Sequence, residues 1–515
     1  MTFSLHRDQR SAVAPATALV LVLAGAVQRC ILIWNSIRLW TNEDLTLLWA
    51  AARDWGSGRA RQPNFWGQSY GTTFEGIPAE ALRWMGIGYP TGLPLVISAA
   101  HLAMWWIPAA AAWRRGHRFI CCVALAAPLV LTDEYLIITS VYSAVAGRVV
   151  ASVALALVIM ADRRAGTVSA ACGLAALAFQ LDSSTLMVTL PACSYALVSI
   201  RSCLRGPGSR RRISVLAGCV LPAVIWLGFT HAWYGRHPED AMHPAPVLRP
   251  SFAILKANVK APGRLLRMFS LELLRSPLLV AATIVVVVVA ALATRRAAAM
   301  AAACAFLLVL FMALALPKSQ DQLATVYFPA ARTILVLPQA LWFLALIGPR
   351  PRRTGPPSLA FVLLLAFVAV TSALRVVTWS DRGGAELSAA TTFPTYPLTR
   401  NTDLEARCDE VRAAASKTDS VIAVFVDRTA AYGCAGLIGD DVTTVFPPYD
   451  RRSWVLKKLD RPGPERMLLV DAVVLLCTNS GVRCSQVEPA VVLVELDGRS
   501  PLDAVRALGI GVRPF

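Results

Sequence analysis

Long apolar runs separated by short basic clusters occupy the first three quarters of the sequence. Each run has about 16 to 25 residues, enough for a helix to cross a hydrocarbon core. Of the 515 residues, 56% are hydrophobic and 16% are charged, far more apolar than a soluble globular protein. We therefore predict a polytopic α-helical membrane protein with about eleven transmembrane helices. The runs lie near 13–37, 91–112, 119–138, 141–160, 166–181, 184–200, 213–231, 277–293, 297–316, 331–348 and 358–377.

The charges between the apolar runs predict the orientation. Basic clusters occur at 114–118, 162–164, 201–212, 295–296 and 349–353, which all fall on one side of the membrane. Cytoplasmic loops carry an excess of Lys and Arg. We therefore expect a multi-pass protein of the cell membrane, with a cytoplasmic N-terminus and an extracytoplasmic C-terminal segment. Because these clusters account for most of the net charge of +18, we expect the lipid bilayer as a partner and no nucleic acid.

The composition changes after about residue 380, where the apolar runs shorten to strand length and alternate with amphipathic stretches. This alternation predicts a small α/β domain. We divide the chain into a transmembrane catalytic domain at 1–379, with a first external loop at 41–90, and an extracytoplasmic α/β domain at 380–515. The predicted strands are 421–426, 442–447, 467–477 and 490–496, and the predicted helices are 403–416, 451–459 and 501–508.

Four of the twelve cysteines lie in the C-terminal segment. Cys477 and Cys484 flank a turn-like sequence, so a local disulfide is plausible there, and it leaves Cys408 and Cys434 as the other pair. Four cysteines allow three pairings, and free thiols are the alternative. The other cysteines are scattered through the apolar runs, where a thiol behaves as a small hydrophobic group.

The first external loop concentrates acids beside the membrane. Glu43 and Asp44 come where the first apolar run ends, and Glu75 follows later in the loop. The stretch 45–55 has helical spacing, with an apolar face suited to the membrane surface. A carboxylate at this boundary can deprotonate an acceptor hydroxyl while a lipid-linked donor stays in the bilayer. The alternative is an acid pair that caps a surface helix.

Other charges lie in or next to the apolar runs. Arg29 is the main candidate for a buried charge, and its alternative is a snorkelling or locally paired arginine. Asp133 and Glu134, near the outer end of the third run, either face the same compartment as Asp44 or cap the following helix.

The first loop resembles the start of the GT-C superfamily of membrane glycosyltransferases, which use sugars linked to a polyprenyl phosphate. Protein O-mannosyltransferases and lipid A aminoarabinose transferases belong to it. The resemblance rests on Arg29, on Glu43-Asp44 followed by Arg53 and Gly58, and on NFWGQSYGTTFE, which ends at Glu75. It implies a GT-C-like fold and a catalytic base in the acid pair. The pair has the reverse of the usual order, so spacing favours Asp44 as the base and Glu43 stays open, while Glu75 matches the second acid.

The resemblance continues at two later places. Tyr327, Pro329 and Arg332 are similar to a segment before a late span in these enzymes, and GCAGLIGDDVTTVFPPYDRRSWV looks like part of the C-terminal domain of bacterial members. It implies substrate contacts within these segments and the external loops. The candidates for substrate binding are Gln68, Tyr70, His237 and Tyr327.

A group of cations follows the predicted external region at 231–250. Lys256, Lys260, Arg264 and Arg267 are spaced by three or four residues, which places them on one face of a helix that Pro262-Gly263 interrupts. Such a patch, with Arg332, could hold the phosphate of a lipid donor. General attraction to anionic headgroups is the alternative.

Histidines and acids give no metal motif. His231, His237 and His243 have spacings that fit no zinc site, so we expect no cofactor and no required divalent metal.

We predict an inverting glycosyltransferase that moves a monosaccharide from a polyprenyl phosphate to a hydroxyl of an envelope glycan, lipid or protein on the external face. The alternative is a non-catalytic membrane scaffold or carrier whose external domain binds a polymer.

Overall fold

The computed structural model describes most of the chain as helices, with one mixed sheet near the C-terminus. Apolar runs form helices because every backbone polar group must be satisfied within the segment in lipid. The described residues are 13–59, 62–67, 71–143, 145–161, 164–201, 209–240, 250–260, 266–315, 334–349, 357–381, 398–439, 441–461, 463–471, 477 and 480–513.

The helices before residue 382 are numbered in chain order. They are α1 Val13–Asn35, α2 Glu43–Gly56, α3 Gly76–Trp84, α4 Tyr89–Arg114, α5 Arg118–Val130, α6 Asp133–Val141, α7 Val145–Met160, α8 Ala165–Leu181, α9 Leu186–Ser199, α10 Ser209–Arg236, α11 Phe252–Lys260, α12 Pro277–Ala293, α13 Ala297–Ala315, α14 Leu337–Ile347 and α15 Pro357–Asp381.

Several of these helices are suited to a membrane. In the described residues, five are long and apolar enough to span a bilayer, or six if α6 and α7 form one broken span. Four shorter apolar helices, of 10 to 17 residues, accompany them. Apolar side chains such as Leu19, Leu23 and Val27 on α1 are more than half exposed, as a lipid-facing surface requires. The chain is a polytopic helical membrane protein, and the number of about eleven spans stays a prediction.

A five-stranded sheet forms the C-terminal part. The strands are β3 Ile422–Phe425, β4 Thr443–Val445, β5 Arg466–Val470, β6 Arg483–Glu488 and β7 Val491–Glu495. Their order in the sheet is β4-β3-β5-β7-β6, in which β3 runs parallel to β4 and β5, whereas β7 is antiparallel to β5 and β6. The helices beside them are α16 Asn401–Thr418, α17 Arg428–Ile438, α18 Ser453–Leu459 and α19 Pro501–Ala507.

A short strand pair joins this C-terminal part to the end of the first helix. Strand β1 Trp40–Thr41 is antiparallel to β2 Thr399–Arg400, with Trp40 opposite Arg400. The Asn401 amide donates a hydrogen bond of 2.7 Å to the Arg38 carbonyl. These contacts hold the sheet and its helices beside the start of the first loop.

Helix α2 does not lie on a membrane surface as the sequence indicated. Its residues from Leu45 to Ala52 are all buried, because α17 covers one side of it and α3 another. Gly436 of α17 permits the close contact, since a Cβ there would lie 2.6 Å from the Trp49 Cβ. The first loop and the C-terminal part therefore share one apolar core.

Two disulfides, Cys408–Cys434 and Cys477–Cys484, are present and have the pairing that the sequence favoured. Their sequence separations are 26 and 7 residues. Loop-closure entropy then predicts a stabilisation of about 3.5 kcal/mol for the first and about 2.4 kcal/mol for the second. We expect the double variant Cys408→Ser/Cys434→Ser to unfold at a lower temperature than Cys477→Ser/Cys484→Ser. Equal unfolding temperatures, or free thiols in peptide mapping under non-reducing conditions, would contradict this.

The orientation of the C-terminal part can be measured by labelling. Ser416, on α16, is exposed, so Ser416→Cys presents a thiol to solvent. We expect a membrane-impermeant maleimide to label this cysteine on intact cells, because the basic clusters predict that the C-terminal part lies outside. A cysteine in a predicted inside loop, at Arg295, is the control and should react only after lysis. Labelling of Ser416→Cys only after lysis would reverse the predicted topology.

Candidate active site

The acid pair of the first loop lies in the first turn of α2 but does not cap it. The cap is Asn42, whose side-chain oxygen accepts a hydrogen bond of 3.0 Å from the Leu45 amide. Glu43 and Asp44 therefore occupy the first two helical positions, where a negative charge is favoured by the helix dipole. Since the cap is supplied by another residue, both carboxylates can make other contacts.

Glu43 points towards the C-terminal part of the chain. Its carboxylate binds the guanidinium groups of Arg428 and Arg451, with a distance of 2.9 Å to Arg451 Nη2. The side chain is only 4% exposed. Burial raises the pKa of Glu43, and Arg451 opposes that change. The three charges join the first loop to two segments that flank the sheet.

Asp44 points in another direction, into a pocket. Its side chain is 25% exposed, and its Oδ1 lies 3.4 Å from Arg451 Nη1. The pocket is small and partly open to solvent. Among the described residues, Asp44 is the lining residue that carries a carboxylate. The other lining residues are Asn42, Leu48, Ile138, Val141, Tyr142 and Ser143.

The opposite wall of this pocket is the break between α6 and α7, where the two helices are bent by 109°. A break leaves backbone carbonyls without their helical partners, which is tolerated at membrane depth only when other groups satisfy them. Arg148 does so by donating to the Tyr142 carbonyl, at 3.0 Å, and to the Ser143 carbonyl. Asp182 balances its charge, with 3.0 Å between Oδ2 and Arg148 Nε. Sequence reasoning missed this pair, although an ionisable residue within an apolar run was an available signal.

Arg29 is buried and holds the same part of the bundle. It donates to the Leu136 carbonyl at 2.5 Å, to Ser140 Oγ at 2.6 Å and to Thr139 Oγ1 at 3.0 Å, all on α6. These contacts fit the local-pairing interpretation of Arg29. The arginine fixes the helix whose end forms the pocket wall.

Glu75 lies beside a later turn of α2 than the turn that carries Glu43 and Asp44. It immediately precedes α3, and a Cβ on Gly76 would lie 2.9 Å from the Ala52 Cα. Asp44 and Ala52 are eight residues apart on one helix, or about 12 Å along its axis. Glu75 is 2% exposed and does not line the Asp44 pocket. The two acids that the sequence grouped together thus occupy different parts of the first loop.

The structure describes only some of the cations that were predicted to bind the donor phosphate. Lys256 on α11 and Arg267 are exposed, and neither lines the Asp44 pocket. The side chain of Lys260 and all of Arg264 and Arg332 lie outside the described residues. Among the described residues, Arg451 contacts Asp44 and Arg148 contacts the Tyr142 and Ser143 carbonyls, so both cations lie beside the pocket.

The structure likewise describes only one of the four predicted substrate-binding residues, His237. Gln68, Tyr70 and Tyr327 lie outside the described residues. His237, at the end of α10, has its Nδ1 4.0 Å from Glu239 and its ring 4.9 Å from Trp233. It is not part of the lining of the Asp44 pocket.

The acids at the start of α6 form a separate ionic cluster. Asp133 lies 2.9 Å from Arg375 Nε, and Glu134 lies 3.8 Å from Arg275. The cap of α6 is Thr132, whose hydroxyl accepts from the Tyr135 amide at 3.4 Å. These acids therefore bind arginines rather than cap the helix. Within the described ranges, no group of three or more His, Cys, Asp or Glu side chains is arranged to hold a metal.

A comparison with solved structures identifies the fold. The crystal structure of ArnT from Cupriavidus metallidurans bound to undecaprenyl phosphate aligns with a TM-score of 0.51, over 93% of this chain and 97% of that one, at 14% identity. No family model matches the sequence, and no curated protein matches it significantly. The chain therefore shares its fold with this structure, which confirms the resemblance at the level of fold.

Proposed function

We propose that the protein is a membrane glycosyltransferase that takes a monosaccharide from a polyprenyl phosphate and transfers it, with inversion, to a hydroxyl of an envelope molecule. The observation that carries this proposal is the Asp44 carboxylate in a solvent-reaching pocket between the first loop and the α6–α7 break. The fold supports it, because the similar ArnT structure contains undecaprenyl phosphate.

Asp44 is the proposed general base. An acceptor hydroxyl in the pocket gives its proton to the carboxylate as its oxygen attacks the anomeric carbon. The bond between that carbon and the phosphate oxygen breaks on the opposite face, and polyprenyl phosphate leaves with the bonding electrons. Arg451, 3.4 Å from Asp44 Oδ1, orients the base.

The leaving phosphate gains negative charge in the transition state, so it needs cations or hydrogen-bond donors. We propose Lys256, Lys260, Arg264, Arg267 and Arg332 for this role. Of these, Arg267 is exposed and lies outside the lining of the Asp44 pocket. The segment after it is joined to the start of α6, where the Thr132 amide donates to the Ser270 carbonyl at 3.2 Å. Helix α6 then leads to the pocket over about 14 Å.

The remaining parts of the proposal follow from chemistry and topology. Glu75, Gln68, Tyr70, His237 and Tyr327 are proposed to contact the substrates, and the C-terminal part to recognise the acceptor on the external face. The mechanism requires no metal, because a carboxylate base and a phosphate leaving group suffice.

Loss of the gene product in its native cell tests this function. We expect the envelope glycans of the deletion strain to lack one sugar linkage, and plasmid-borne wild type to restore it. The Asp44→Asn variant at equal abundance should not restore it, because the base is absent. Restoration by Asp44→Asn would remove Asp44 from the mechanism, and a deletion strain with unchanged envelope glycans would instead favour a non-catalytic scaffold with a polymer-binding external domain.

A further inference from the structure

Helix α3, Gly76–Trp84, packs against its neighbours with one face. Gly76 lies against α2, since a Cβ there would be 2.9 Å from the Ala52 Cα. Ala79 is buried and lies beside Gly92 in the first turn of α4. The packed positions 76, 79, 80 and 83 recur every three or four residues, so they form one stripe along the helix.

Both charged residues of α3 belong to this packed stripe. Arg83 donates two hydrogen bonds of 2.7 Å to the Glu80 carboxylate, and the Tyr89 hydroxyl donates to the same carboxylate. Glu80 is 3% exposed. The charges of the helix are therefore paired with each other on its inner side, and the opposite side carries no charge.

The opposite stripe of α3 is apolar and exposed. It consists of Ile77, Pro78, Ala81, Trp84 and, one residue beyond the helix, Met85. The exposed fractions are 49% for Ile77, 66% for Trp84 and 75% for Met85. A contiguous exposed apolar surface marks a contact with a membrane or with another molecule.

The position of α3 in the chain identifies that contact. Helix α4 begins at Tyr89, four residues after Met85, and is long and apolar enough to span a membrane. Because α3 packs on the first turn of α4, it lies at the boundary where α4 enters the bilayer. Tryptophan is enriched at this level of membrane proteins, and a helix with one apolar face is suited to lie in the plane of the interface.

We propose that α3 lies in the lipid interface of the leaflet that α4 enters at Tyr89, with its exposed stripe inserted among the lipids. The basic clusters predict that this is the outer leaflet. The contact of Gly76 with Ala52 joins α3 to α2, so the inserted helix holds the first loop at a fixed height above the bilayer. The membrane-surface role that the sequence indicated for α2 thus passes to α3.

Photo-cross-linking of the full-length protein in phosphatidylcholine vesicles tests the proposal. A benzophenone amino acid replaces Ile77, Trp84, Leu23 or Val421 in four separate variants. Leu23, on the membrane-spanning helix α1, is 56% exposed and is the positive control, whereas Val421, beside β3, is 52% exposed and is the control for solvent. We expect mass spectrometry to find phospholipid adducts at Ile77, Trp84 and Leu23, and none at Val421.

The two probes on α3 test its direction as well as its contact. Ile77 and Trp84 are about 10 Å apart along the helix, so adducts at both positions require α3 to lie along the surface. Phosphatidylglycerol added to the vesicles should change the adduct yields by less than about twofold, because the stripe carries no charge that attracts an anionic headgroup.

Three results would overturn the proposal. They are adducts at Leu23 with none at either α3 position, adducts at Trp84 without any at Ile77, and cross-links from Trp84 to protein alone, which would indicate a second copy of the chain on this face. Because no result depends on turnover, the proposal can fail or hold independently of the proposed transfer reaction.

Discussion

Replacing Asp44 by Asn should lower turnover by about 100-fold to 10,000-fold, the usual range for losing a positioned general base. The substitution keeps the size of the side chain and one oxygen that can accept a hydrogen bond from Arg451. Helix α2 should form normally, because its cap is Asn42 and not an acid of the pair. Donor binding should also survive, since Asp44 removes a proton from the acceptor and does not hold the donor lipid.

The measurement is turnover at saturating donor and acceptor, with the unfolding temperature of the same preparation. We expect the activity to fall and the unfolding temperature to stay within about a degree or two of the wild type, because surface-accessible conservative changes cost little stability. A folded Asp44→Asn protein with near-normal turnover would remove Asp44 from the mechanism.

Replacing Glu43 by Gln should have its main effect on stability. Glu43 and Arg451 are 4% and 6% exposed, and Arg428 binds the same carboxylate. Breaking a buried ion pair leaves charges without compensation, which costs about 3 kcal/mol. The loss should also loosen the contact between the first loop and the C-terminal part. We expect a lower unfolding temperature and faster proteolysis of that part.

An exposed ion pair supplies the control for Glu43. Asp497 binds Arg483 at the surface, where the two side chains are 47% and 75% exposed. We expect Asp497→Asn to leave the unfolding temperature unchanged, because solvent screens such pairs. If Glu43→Gln abolished turnover at unchanged stability, the base would be Glu43.

The acid pair was predictable from sequence because the signal is local. Two adjacent carboxylates at the end of an apolar run are visible without any knowledge of the fold. Their partners were not predictable, since Arg428 and Arg451 follow almost four hundred residues later and share no periodicity with the first loop. The sequence left Asp44 and Glu43 as alternatives, and the structure distinguishes them by direction: Asp44 faces a pocket, and Glu43 faces two arginines.

Prediction of the C-terminal strands and helices was also limited to local signals in the sequence. Strands β3, β4 and β7 fall within predicted strands and β5 overlaps one, because all four are rich in β-branched and aliphatic residues. Strand β6, Arg483–Glu488, was missed because it is an edge strand with mostly polar or half-exposed positions. Helix α17 was also missed, although it covers α2. The apolar face of α2 predicted burial correctly, but amphipathic periodicity cannot tell a membrane surface from a protein neighbour.

The most direct test of the central claim is the release of polyprenyl phosphate by the purified protein. Wild type is incubated with a radiolabelled polyprenyl-phosphate sugar and a cell-envelope extract that supplies the acceptor. We predict that label moves to the acceptor and that polyprenyl phosphate is released in equal amount, only when extract is present and only with Asp44 intact. No acceptor-dependent release from any polyprenyl-phosphate sugar of the native cell, by a folded wild-type protein, would contradict the account.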